Sequence, residues 1–87
     1  MKEKIENFED LINCIEFSVN RGHKISIIEN DDYTCNDYKL GFLDGTVLIV
    51  TPYYFDMDRL MNDLSQDYDN VEMSLVDEMK VINMSVK

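Results

Sequence analysis

Apolar residues recur along this chain at two different periods, and the changes of period mark its elements. Ile5, Phe8, Leu11, Ile12, Ile15 and Val19 lie three or four residues apart, which aligns them on one face of a helix. The spacing predicts a helix over residues 3–21. Gly22 suits the left-handed position just past its end, and Arg21 in the last turn complements the helix dipole. Residues 24–29 are rich in β-branched side chains and predict a strand. Asn30, Asp31 and Asp32 mark a turn or loop. Residues 33–43 are expected to be extended, with Tyr38, Leu40 and Phe42 alternating onto one face. Asp44 and Gly45 favour a two-residue type I′ turn. That turn pairs Leu43 with Thr46, Phe42 with Val47 and Leu40 with Ile49. Residues 46–50 are apolar on both faces, as expected of a central strand.

In the second half, Thr51 followed by Pro52 predicts an N-cap and the first position of another helix. Its expected span is residues 53–66, with Tyr53, Met57, Leu60, Met61, Leu64 and Tyr68 on one face and Asp69–Asn70 as the break. Val71, Met73 and Leu75 alternate with Glu72 and Ser74, which predicts a strand. Asp77 and Glu78 turn the chain into a last strand over 79–86. A two-residue turn there sets Met73 opposite Ile82 and Val71 opposite Met84. The order α-β-β-β-α-β-β has no βαβ alternation. It predicts an α+β fold: an antiparallel sheet of four to five strands with two helices on one face. Eighty-seven residues make a single domain, 1–87. Strand order has no local signal.

Charge changes this picture from an ordinary small domain to one with a negative surface. Eighteen Asp and Glu face eight Lys and Arg, a net charge of −10. The acids run from Glu3 to Glu78, interleaved with core-forming residues. Such a surface repels nucleic acid and attracts basic partners. Direct nucleic-acid binding depends on Lys and Arg against phosphate, and no basic patch is present, so the five tyrosines are not expected to stack on bases. The N-terminal residues are charged throughout, with no apolar signal-peptide core, and no apolar run approaches a membrane span. A cytoplasmic location in a bacterial host is expected, with Cys14 and Cys35 as thiols.

Catalytic and metal chemistry find little support in the motifs. Cys14 and Cys35 stand apart from His23, the one histidine, without a nucleophile motif. There is no Cys-x-x-Cys and no phosphate-cradling glycine loop. The acidic segments 29–32 and 67–70 lack the central glycine of a calcium loop. The chain is therefore expected to have no enzymatic activity, no metal and no cofactor.

The candidate chemistry is binding. On the first helix, Glu6, Asp10, Asn13 and Phe17 form a ridge opposite the apolar stripe, with Phe17 as an aromatic anchor among carboxylates. On the second, Asp56, Asp63 and Asp67 share a stripe, and Asp69 and Glu72 follow it. Phe55 is a further apolar interruption. Glu29, Asp31 and Asp32 form a second patch. Carboxylates one helical turn apart, about 6 Å, and alternate strand residues, about 6.6 Å apart, match the scale of successive phosphates on a nucleic-acid strand. The bland alternative is that these acids are solvated helix and turn residues.

In size, acidity and cytoplasmic character the chain resembles small phage-encoded inhibitors, including DNA mimics and anti-CRISPR proteins. The resemblance covers composition across the whole chain and no motif, so it assigns no residue a role. It implies a viral, non-enzymatic inhibitor. Such a protein docks its acidic surface into the basic nucleic-acid site of a host protein, such as a CRISPR nuclease complex. Two other expectations share the electrostatics: an immunity protein or antitoxin against a basic toxin enzyme, and a small acidic structural or adaptor domain. The partner is in each case a protein, and the chain itself is expected to be a monomer or homodimer.

Overall fold

The computed structural model describes residues 4–85. Two helices and five strands follow in the order α1 (Phe8–Asn20), β1 (Lys24–Ile28), β2 (Lys39–Leu43), β3 (Thr46–Val50), α2 (Met57–Asp67), β4 (Val71–Val76) and β5 (Met79–Met84). The α+β class and the element order are those the periodicity predicts. Glu3 and Val86, at the ends of the predicted first helix and last strand, lie outside the described residues.

Helix α1 starts later than the apolar stripe suggests, because Asn7 caps it. The Asn7 side chain accepts a hydrogen bond from the Asp10 N–H at 2.8 Å, and the Asp10 carboxylate accepts one from the Glu6 N–H at 3.2 Å. This is a close variant of the reciprocal capping box. The helix ends as Gly22 predicts. Gly22 has φ +82, its N–H bonds to the Val19 carbonyl at 3.0 Å, and the His23 N–H bonds to the Ser18 carbonyl at 3.1 Å. These two bonds define a Schellman motif.

Helix α2 departs from expectation at its start. Thr51 and Pro52 do not open it. Thr51 is buried, and its N–H bonds to the Ile28 carbonyl at 3.0 Å, which extends the β1–β3 pairing past the strand end. The chain then turns, with the Phe55 N–H on the Pro52 carbonyl. Asp56 is the real N-cap, accepting from the Arg59 N–H at 3.1 Å. Tyr53 consequently sits outside the helix and is exposed rather than on the core face.

The sheet order is β2-β3-β1-β5-β4. Both hairpins keep the predicted register, with Leu43 opposite Thr46, Leu40 opposite Ile49, Met73 opposite Ile82 and Val71 opposite Met84. The expectation of a wholly antiparallel sheet is corrected by one pair: β1 and β3 run parallel. Residues 29–38 carry the chain past the position beside β1 to the sheet edge. The hairpin then returns β3 into the gap, in the same direction as β1.

Alternation along the strands puts Ile25, Ile27, Val47, Ile49, Ile82 and Met84 on one face. They form a single buried cluster with Leu11 and Ile15 of α1 and Met57, Leu60 and Leu64 of α2. Each such fully buried side chain contributes about 1.5–3 kcal/mol, so this cluster holds both helices to the sheet. Phe55 joins it from the side: it stacks on Phe8 with ring centroids 6.0 Å apart and meets Tyr38 edge-on at 5.9 Å. It is thus a packing residue and not the exposed interruption expected of it. Burial raises the Tyr38 phenol above its usual pKa, with the Tyr54 charge adding to the effect.

Candidate functional site

The acids separate into groups with different structural duties. Asp10 and Asp56 cap helices, as described above. Glu6 is an exposed residue ahead of α1 and pairs with Lys4 at 3.7 Å. The expected ridge from Glu6 to Phe17 is therefore broken: its first member is not helical and its second is held by the cap.

Glu29 is half-buried and pins two strands. Its N–H bonds to the Lys80 carbonyl at 2.9 Å and its carboxylate accepts from the Lys80 N–H at 3.0 Å. The Lys80 ammonium reaches Asp58 at 3.1 Å. That hydrogen bond and the Asp58 charge hold Lys80 protonated above its usual pKa, with Glu29 and Asp56 adding to the effect. Asp31 and Asp32 remain exposed in the loop. Asp32 accepts from the Thr34 hydroxyl at 2.7 Å and the Thr34 N–H at 3.0 Å, which lowers its carboxyl pKa. These bonds order a local turn.

The third group is the one that the fold assembles. Where α1 lies beside α2, Glu16, Asp63 and Asp67 line a cleft of about 210 Å³ with Ile12, Ile15, Leu64, Gln66 and Tyr68. Glu16 comes from the first helix and was not among the sequence candidates. Its helical position is one turn from Ile12 and beside Ile15, and the apolar stripe that predicts the helix thus also places Glu16 on its border. The Tyr68 hydroxyl is pushed above its usual pKa, first by burial and then by the Glu16 and Asp67 charges. Asp69 and Glu72 do not join this cleft. They line a separate depression with Asn70, Asn83 and Lys24, and Glu72 alternates with the core-packed Val71 and Met73, which puts it on the sheet face away from the helices. Among the described residues the ion pairs are Lys4–Glu6 and Lys80–Asp58. Glu16, Asp63 and Asp67 therefore form a run of carboxylates without a salt bridge there.

Phe17 lies on the other side of α1, away from that run. It is 51% exposed, and the Arg21 guanidinium sits 4.9 Å from its ring centroid. Phe17 lines a groove with Cys14, His23, Leu40 and Phe42 between α1 and β2. A cation thus sits over its ring, and the groove that Phe17 lines contains none of the carboxylates expected to surround it.

Neither cysteine is in a disulfide. No group of three His, Cys, Asp or Glu suited to a metal ion occurs among the described residues, and no helix there is long and apolar enough to cross a membrane. Compared with protein-family models, curated proteins and solved structures, the chain matches none of them.

Proposed function

We propose that the protein is a non-enzymatic inhibitor that presents the Glu16–Asp63–Asp67 acidic run to the basic nucleic-acid-binding site of a host protein. A CRISPR nuclease complex is one such target. The observation that carries this reading is the convergence of carboxylates from α1 and α2 in one cleft, none of them in a salt bridge among the described residues. Like charges gathered this way repel one another, and a cationic surface relieves that repulsion on docking. Asp63 and Asp67 are one helical turn apart, about 6 Å, which is the scale of neighbouring phosphates. A basic groove shaped for a nucleic-acid strand thus meets charge at the spacing it accommodates. The block is steric and electrostatic, and it takes place in the bacterial cytoplasm.

The test is capture followed by competition. The immobilised protein is exposed to host lysate at low salt and eluted with rising salt. The captured protein is then offered labelled DNA or RNA with increasing amounts of the inhibitor. The expected result is elution at moderate salt, since exposed charges are screened, and displacement of nucleic acid by the wild type but not by Asp63→Lys/Asp67→Lys. A captured protein that keeps its nucleic acid at saturating inhibitor overturns the reading. A toxin enzyme captured in place of a nucleic-acid-binding complex points to an immunity protein.

A further inference from the structure

The sheet ends in two exposed strands, and they differ in the charge they carry. Strand β4 carries Glu72 and is bounded by Asp69, Asp77 and Glu78. Pairing two copies through β4 brings eight carboxylates together, and such charges are a common protection of open edges. Strand β2 has all five residues exposed, with Leu40 at 40%, Phe42 at 60% and Leu43 at 60%. Lys39 is its one charged residue, and Asp37 and Asp44 flank the strand.

The register of the β2–β3 hairpin determines which backbone groups face outward. Asp44 and Gly45 have φ 51 and 78 and join Leu43 to Thr46 in a two-residue turn. The pair closing such a turn is hydrogen-bonded, and bonded and non-bonded pairs then alternate along the ladder. Leu43, Gly41 and Lys39 therefore direct their N–H and C=O groups to β3. Leu40 and Phe42 direct theirs away from the sheet.

From this pattern we infer that a second copy of the chain pairs with β2, antiparallel, about a two-fold axis through Gly41. The strand is complementary to itself in that alignment. Leu40 of each copy meets Phe42 of the other, and both pairs exchange their outward backbone hydrogen bonds. Gly41 meets Gly41 at the closely spaced non-bonded position. On the helix-bearing face the Leu40–Phe42 contacts continue the groove that holds Phe17 and His23, where the His23 ring already meets Phe42 edge-on at 5.1 Å. On the other face Lys39 lies across from Leu43, next to Asp44, so its stem rests on an apolar side chain and its ammonium faces a carboxylate. An isologous contact of this kind uses up the edge and closes at two copies. The result is a continuous ten-stranded sheet with both β4 edges outermost.

Each copy carries a net charge of −10, so the two repel at long range while the contact itself is apolar. Salt screens that repulsion and tightens the dimer, the opposite of its effect on a partner held by the acidic run. Failure of one inference is thus distinguishable from failure of the other.

Sedimentation equilibrium over a range of protein and salt concentrations tests the contact. The expected mass rises from 10.2 kDa to twice that value, at lower concentration in high salt. Phe42→Glu should weaken dimerisation at least tenfold by placing charge in the apolar pair. Leu40→Pro should do the same by removing an outward N–H, a substitution that an edge strand tolerates on its open side. Circular dichroism verifies that each variant is folded. Leu75→Glu, on β4, should leave the dimer intact. A wild type that stays monomeric at every concentration and salt overturns the inference. So does a dimer that survives both β2 variants, or one abolished by Leu75→Glu.

Discussion

The two outer hairpins of this sheet share a backbone plan and differ in chemistry. Each closes through a two-residue turn with positive φ at both positions: Asp44 and Gly45 between β2 and β3, Asp77 and Glu78 between β4 and β5. Each places one strand at a sheet edge and the other against β1 or beside it. The β2 hairpin ends in an apolar edge with Phe17, Arg21 and His23 beside it. The β4 hairpin ends in an edge that carries Glu72 and is bounded by Asp69, Asp77 and Glu78, with Leu75 and Val76 exposed at its turn end. The difference teaches that secondary structure and register do not decide what an edge is for. The side chains on its outward groups and the charge around it do.

The largest expected effect tests whether both hairpins depend on one core. Leu60 is fully buried in the cluster under the sheet. Leu60→Ala should lower unfolding free energy by about 2–5 kcal/mol, in a single transition when urea denaturation is followed by circular dichroism and by tyrosine fluorescence. Two separate transitions break the comparison, since the hairpins then have independent supports.

Charge reversal at Asp63 and Asp67 sharpens it from the acidic side. The double Lys variant should bind the captured partner at least tenfold more weakly, about 1.4 kcal/mol, and fold with undiminished stability because it removes like-charge repulsion. Equal binding by titration calorimetry removes the acidic run from the interface.

The turns provide a smaller contrast. Glu78 has φ 69, a conformation that side-chain-bearing residues adopt at a cost, whereas Gly45 at φ 78 has no Cβ. Glu78→Gly should stabilise the protein by about 1 kcal/mol and Gly45→Ala should destabilise it by about the same amount. Thermal unfolding monitors both, and equal shifts of the same sign contradict the shared turn geometry.

The smallest effect is a titration. Tyr68 is raised by burial first and by Glu16 and Asp67 second. A raised value means the folded state holds the phenolic proton more tightly than the unfolded chain. The stability this contributes is complete below pH 10 and fades as pH rises through the raised value. In Glu16→Gln/Asp67→Asn, Tyr68 should ionise at lower pH than in the wild type while remaining above its usual value. An unchanged spectrophotometric titration places those carboxylates too far away to act.

Much of the fold was legible because its signals are local. Asp44–Gly45 fixes a hairpin register by turn geometry, and the matching apolar positions of β4 and β5 fix another. Gly22 ends α1 because the carbonyls of Ser18 and Val19 need donors from a left-handed turn. The start of α2 was misplaced because Thr51 and Pro52 resemble a cap, yet Thr51 is drawn into the sheet by Ile28, a residue 23 positions away. The true cap, Asp56, carries the same kind of signal, with Asp58 in the first turn. The candidate site was legible only in part. Asp63 and Asp67 are near in sequence, but Glu16 joins them through the packing of two helices, while Asp69 and Glu72 fall in a separate depression.

The sequence by itself determined the helices, the two hairpins, their registers and the excess of negative charge, because each depends on contacts within a few residues. Tertiary structure decided the parallel β1–β3 pair, because a loop crossing from one strand to the sheet edge leaves no periodicity behind. It also decided how the charge is spent. Packing assigned Asp10, Asp56 and Glu29 to caps and strand bonds, gathered Glu16 with Asp63 and Asp67, and set Phe17 beside the apolar edge, since only the folded chain brings residues so distant in sequence within reach of one another.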